Sequence, residues 1–114
     1  MVTFACKKIK LEEVVRCSFG LNKTEYKSFL FLLSSNKKFT VTEMANNFSL
    51  KRTTIQKSVK NLLEKKLVNK FQINRKKGGY EFYYTMSEKV KIKAEIKRIL
   101  DEWVESAKKK VDEL

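Results

Sequence analysis

The chain is predicted to be mainly α-helical with one small β-hairpin, an α+β fold, and three observations carry that expectation. Apolar residues recur at helical spacing through most of its length, two runs of alternating character flank a Gly-Gly pair, and proline is absent. At 114 residues and 42% apolar, with eight Phe, four Tyr and one Trp, it can bury one real core but not two.

A first helix is expected over residues 9–17, where Ile9, Val14 and Cys17, flanked by Leu11 and Val15, form an apolar stripe that Gly20 ends. Asn22-Lys-Thr-Glu25 has the spacing of a capping box and opens a second helix to about residue 34. Its run Phe29-Leu-Phe-Leu-Leu33 is apolar on nearly every side, which predicts a central helix buried all round. Thr40-Val-Thr-Glu43 repeats the capping signature and starts a short third helix with Val41, Met44, Ala45 and Phe48 on one face. A fourth helix, residues 51–65, follows after a tight polar turn and buries Ile55, Val59, Leu62 and Leu63.

Alternation then replaces helical spacing. Leu67, Phe71 and Ile73 oppose Lys70, Gln72 and Asn74, and Tyr80, Phe82 and Tyr84 alternate beyond Arg75-Lys-Lys-Gly-Gly79. That pattern reads as a β-hairpin whose turn uses Gly78 and Gly79 for positive φ, with Phe71, Tyr80 and Phe82 as its core. Ser87 is expected to cap a last helix, with Glu88 in its first turn, running to about residue 111.

Charge is distributed unevenly. Between Ser49 and Tyr80 there are ten Lys or Arg and one acid, Glu64, so this stretch holds +9 of the net +13. The first 48 residues add +4 and residues 81–114 add nothing. Cationic charge focused on a helix and hairpin is the footprint of a polyanion binder, with double-stranded DNA the first candidate. A merely solvated lysine face is the plain alternative.

Much chemistry is excluded. With no His in the chain, neither a Ser–His nor a Cys–His nucleophile pair can form, and no imidazole can bind metal. Cys6 and Cys17 match no metal spacing, and three Gly leave no material for a phosphate cradle. No enzyme, cofactor or metal site is expected. No stretch approaches the ~20 apolar residues of a membrane span, and the N-terminus has no signal-like run, which predicts a cytoplasmic, nucleoid-associated protein without membrane contact. Isolated cysteines then read as small buried hydrophobes, with a disulfide as the alternative.

Two helices around a tight turn, the second basic on its free face, form a helix-turn-helix pattern, and the basic hairpin after it makes a wing. With the segments Phe19-Gly-Leu-Asn-Lys-Thr-Glu-Tyr26, Phe39-Thr-Val-Thr-Glu-Met-Ala45, Arg52-Thr-Thr-Ile55 and Leu62-Leu-Glu-Lys-Lys-Leu-Val68, the chain resembles the winged helix-turn-helix regulators, most closely the MarR/TrmB type of archaea. The resemblance covers about residues 9–86. It departs at Lys66, where the family usually has Gly before the first wing strand, so a strained corner is expected there.

The resemblance implies that the fourth helix enters the major groove and the wing reaches the minor groove. On the helical wheel Thr53, Lys57, Lys60 and Asn61 lie opposite the buried stripe, with Thr54 and Gln56 beside them. Gln56 suits adenine, Lys57 or Lys60 guanine, and the Thr methyls thymine. Lys51 and Arg52 are expected at phosphates, with Thr40 and Thr42 as weaker candidates, although capping alone accounts for Thr40. Arg75 is the choice for minor-groove insertion, because its planar cation suits a narrow negative groove, and Lys76 and Lys77 fall to phosphates.

The last helix is longer than a small domain needs. Its stripe of Ile92, Ile96, Ile99, Trp103, Ala107 and Val111 predicts a homodimer through an antiparallel coiled coil, flanked by Glu95, Arg98, Asp101, Glu102 and Lys108. The expected division is residues 1–86 for DNA binding and 87–114 for dimerisation, within one compact unit. A transcription regulator is the leading reading. The rivals are an architectural chromatin protein with little sequence specificity, a module docking an acidic protein, and an RNA binder. RNA is disfavoured because the wing aromatics are assigned to the hairpin core.

Overall fold

Local capping chemistry starts two of the helices where the spacing predicts. In the computed structural model, which describes residues 2–114, Asn22 caps one helix by accepting from the Glu25 amide at 2.8 Å, and Glu25 returns the bond to the Asn22 amide at 3.0 Å. Thr40 and Glu43 form the same reciprocal pair at the next helix. Gly20 (φ 66°), Asn36 (φ 57°) and Ser49 (φ 54°) end the first three helices in the left-handed region.

The elements run β1 (Val2–Thr3), β2 (Lys8–Ile9), α1 (Leu11–Phe19), α2 (Lys23–Ser35), α3 (Val41–Phe48), α4 (Arg52–Glu64), β3 (Val68–Asn74), β4 (Tyr80–Met86) and α5 (Lys89–Asp112). This is the mainly helical fold with a hairpin after the fourth helix, and among the described residues there are five helices, the last of them long. The small β1–β2 ladder at the start departs from expectation, and it delays α1 by two residues.

The chain divides into two units. One is Asn22–Ser87; the other joins the N-terminal segment through Leu21 to Glu88–Leu114. In the first unit, α4 packs on α2 and α3 and leads into β3. Ile55, Val59 and Leu62 of α4, Leu32 of α2 and Met44 of α3 are all fully or almost fully buried, each such side chain contributing about 1.5–3 kcal/mol. α2 is not buried all round: Phe29 and Leu32 are, but Leu30 is exposed. Phe31 instead meets Phe39 and Phe48 in an aromatic cluster at centroid distances of 4.6 and 5.1 Å. Phe39 also exchanges backbone hydrogen bonds with Tyr84 at 3.0 and 2.8 Å, fastening the turn before α3 to β4.

β3 and β4 pair antiparallel with Lys70 opposite Tyr84, Gln72 opposite Phe82 and Asn74 opposite Tyr80. Directly opposed residues share a face. The register therefore sets Tyr80, Phe82 and Tyr84 beside the polar residues of β3, and Phe71 and Ile73 on the reverse side. The expected hairpin core does not form: Phe71, Tyr80 and Phe82 are 49%, 56% and 37% exposed.

The corner before β3 is strained as expected. Lys66 sits at φ 60°, where a side chain costs about 1–2 kcal/mol relative to the right-handed region. Its carbonyl accepts from the Ser87 hydroxyl at 3.0 Å. Ser87 does not cap α5 as expected: the N-cap is Glu88, without a side-chain cap bond. Lys66→Gly is expected to raise stability by about 0.5–1 kcal/mol, since glycine's extra unfolded-state entropy offsets part of the relief, and thermal unfolding should shift upward by a few degrees.

In the second unit α5 packs against α1. Ile92, expected at a dimer contact, is buried here at 6% exposure, so that end of the stripe already serves the chain's own core. Ile96 and Ile99 are half-buried, whereas Trp103 and Val111 are 64% and 62% exposed. Among the flanking charges, Arg98 pairs with Glu95 and Glu102 along the same helix. Cys6 and Cys17 are free thiols and exposed, contrary to the buried positions expected of them. No helix among the described residues is long and apolar enough to cross a membrane.

Candidate nucleic-acid interface

Within the Asn22–Ser87 unit, the start of α3, the first turns of α4 and the β4 side of the wing with Arg75 enclose one open cleft of about 500 Å³. Five of the residues singled out from sequence line it: Thr40, Thr42, Arg52, Gln56 and Arg75. The amphipathic pitch of α4 explains its contribution, since burying Ile55 and Val59 turns Arg52 and Gln56 outward on the same side. Tyr80, Glu81, Phe82 and Glu43 also line the cleft, and sequence reasoning misses them. The capping box is the signal that points to Glu43, because it holds that carboxylate at the cleft edge beside Thr40 (Thr40 Oγ1 donates to it at 3.0 Å).

Other sequence-picked residues surround the cleft without lining it. Lys51, Thr53, Lys57 and Lys60 of the α4 region and Lys76 and Lys77 of the wing tip are exposed. Thr54 is half-buried, and its backbone carbonyl accepts from the buried Ser58 hydroxyl at 3.1 Å.

Two assignments change. Asn61, expected to face bases, borders the buried side of α4 and donates its side-chain amide to Glu25, which is only 4% exposed. A buried carboxylate must be hydrogen-bonded to be tolerated, and Asn61 together with the Asn22 amide supplies that. Asn61 thus ties α4 to the start of α2. Arg75, expected free at the wing tip, is ion-paired with Glu81 across the hairpin. Glu81 also accepts from the Tyr83 hydroxyl at 3.0 Å, and that bond, helped by burial, pushes the Tyr83 phenol above its ordinary value. Tyr84, where the wing joins the core, is pushed up by burial.

The turn itself behaves as its composition requires. Gly78 and Gly79 adopt φ 92° and 77°, and the Arg75 amide donates to the Gly79 carbonyl at 3.0 Å. Lys76 and Lys77 are thereby held at the exposed tip.

Residues 15–89 match the family described as sugar-specific transcriptional regulator TrmB. An uncharacterized protein of Methanocaldococcus jannaschii, MJ1503, is 30% identical over 109 residues, spanning 96% of this chain and 82% of its own length. Among solved structures, a "possible transcriptional regulator" from Methanosarcina mazei superposes with a TM-score of 0.90 at 29% identity, covering 99% of this chain and 95% of that one. The ST1889 protein of Sulfolobus tokodaii has the same fold, with a TM-score of 0.73 at 24% identity over 84% of this chain and 93% of its own. The family match takes in the helix-turn-helix and the whole wing traced above, so the chain belongs to the TrmB family of transcriptional regulators, DNA-binding proteins of winged-helix fold.

Proposed function

We propose that the protein regulates transcription by binding double-stranded DNA as a homodimer, with α4 in the major groove and the wing, residues 74–80, at the adjacent minor groove. One observation carries this reading: Arg52 and Gln56 of α4 and Arg75 of the wing line the same cleft, so the two cationic elements act on one side of their unit. Thr53, Gln56, Lys57 and Lys60 then face bases, with half-buried Thr54 at their margin. Lys51, Arg52, Thr42, Lys76 and Lys77 meet phosphates, and Thr40 stays a helix cap. Arg75 enters the minor groove by exchanging Glu81 for the DNA, and giving up that ion pair offsets part of what insertion gains. Such a protein works at the nucleoid, in the cytoplasm.

The homodimer is supported by α5 and the N-terminal segment. Phe4, Trp103, Val104, Ala107 and Val111 line one apolar groove, a strip that a second copy would remove from water. Ile96 and Ile99 extend it toward the buried Ile92.

Selection from a random duplex library is expected to enrich a palindromic or pseudo-palindromic site with half-sites about 34 Å apart, one helical turn. Equal competition by random duplex, with no motif enriched, would favour the architectural reading instead. Sedimentation equilibrium at micromolar concentration should report a dimer, and a monomer there removes the two-fold arrangement.

A further inference from the structure

Duplex grooves expose the edges of bases, while the flat faces stay hidden in the stack. Aromatic rings exposed inside a DNA-facing cleft therefore have nothing to stack on in an undistorted duplex. Tyr80 and Phe82 are such rings: they share one face of the hairpin, line the cleft and stay 56% and 37% exposed. They meet edge to face at 5.2 Å and 69°. Lys70 lies 4.0 Å from the Phe82 ring centre and backs the pair with positive charge.

The rest of the lining suits a base. Gln56 offers an amide with both donors and an acceptor, Glu43 a carboxylate for exocyclic amino groups, and Arg52 a guanidinium for the adjoining phosphate. A cleft of about 500 Å³ also falls in the range of sites that hold molecules of nucleotide size.

We propose that this cleft takes in an unstacked DNA base, with Tyr80 as its stacking platform, Phe82 and Lys70 supporting that ring, and Gln56 reading the base edge. The proposal rests on the reading that the α4–wing face binds DNA. It gives the protein a preference for DNA that is locally opened over DNA fully paired. The focused positive charge supplies the attraction to the strand, and the aromatic pair supplies the discrimination.

The test compares two duplexes of one sequence carrying 2-aminopurine, one fully paired and one with the reporter in a short unpaired bubble, titrated with the full chain. The bubble is expected to bind about tenfold tighter, with reporter emission quenched on binding. Tyr80→Leu with Phe82→Leu should abolish both effects, so that the two duplexes bind alike and the reporter is no longer quenched. Tyr80→Phe, which keeps the ring, should retain both. Equal affinity of the native chain for the two duplexes overturns the proposal, as does a bubble preference that survives removal of both rings. Tighter capture of the matching RNA strand than of the DNA strand also overturns it. Paired binding without bubble preference removes this inference alone, whereas failure to bind either duplex removes the α4–wing reading with it.

Discussion

Neutralising Lys57, Lys60, Lys76 and Lys77 together with glutamine is expected to weaken duplex binding at least about a hundredfold near 0.1 M salt. It should also flatten the slope of log affinity against log salt by about 1.8 per subunit, or roughly 0.9 for each phosphate that Lys76 and Lys77 no longer neutralise. All four side chains are exposed. Among the described residues none of the four has an ion-pair partner, so their charge is free for DNA. Exposed substitutions of this kind usually change stability by no more than about 0.5 kcal/mol, so the effect should read as affinity and not as unfolding. Arg75→Gln alone should cost less than a single free lysine does, because the native arginine must first give up Glu81 to reach DNA. A salt slope unchanged in the fourfold variant would mean that DNA docks elsewhere.

Leu62→Ala is expected to cost about 3 kcal/mol of stability, within the range of about 2–5 kcal/mol typical for buried leucines. Leu62 is fully buried on the inner side of α4, the helix that packs on both α2 and α3. The variant should move the urea midpoint without changing the denaturant slope, since the folded state keeps its size. Duplex affinity of the folded protein should hold, because Lys57 and Lys60 occupy the opposite side of the same helix. A cost under about 1 kcal/mol, well below that range, would show that α4 is not the hub of its unit.

The parts of the fold that are legible from residues alone depend on short sequence separations. The boxes at Asn22–Glu25 and Thr40–Glu43 close over three residues, and the stops at Gly20 and in the wing turn are single-residue conformational needs. Helical pitch separates Ile55 and Val59 from Gln56 and Lys57 without any knowledge of what α4 packs against. The strain at Lys66 is visible only through the family resemblance, which expects Gly where this chain has a lysine at φ 60°. Together these are enough to indicate a winged helix with its cations on α4 and the wing.

Long-range matters escape for one physical reason: they depend on which partner a residue meets. Glu25 and Asn61 lie 36 positions apart, so no local pattern can show that the amide is committed to a buried carboxylate. Wing pairing sets even-numbered residues against even-numbered ones, as at Gln72 and Phe82, and a slip of one residue would have joined the apolar residues of both strands on one face. Turn geometry sets that register, so the alternation of each strand is readable while the face shared between them is not. Ile92 belongs to the predicted stripe of α5, but only tertiary packing decides that it is buried within the chain. Helix positions, caps and charge are written in neighbouring residues. The open cleft with its two exposed rings, the engaged Arg75 and the spent Asn61 arise only when distant segments meet and compete for the same groups.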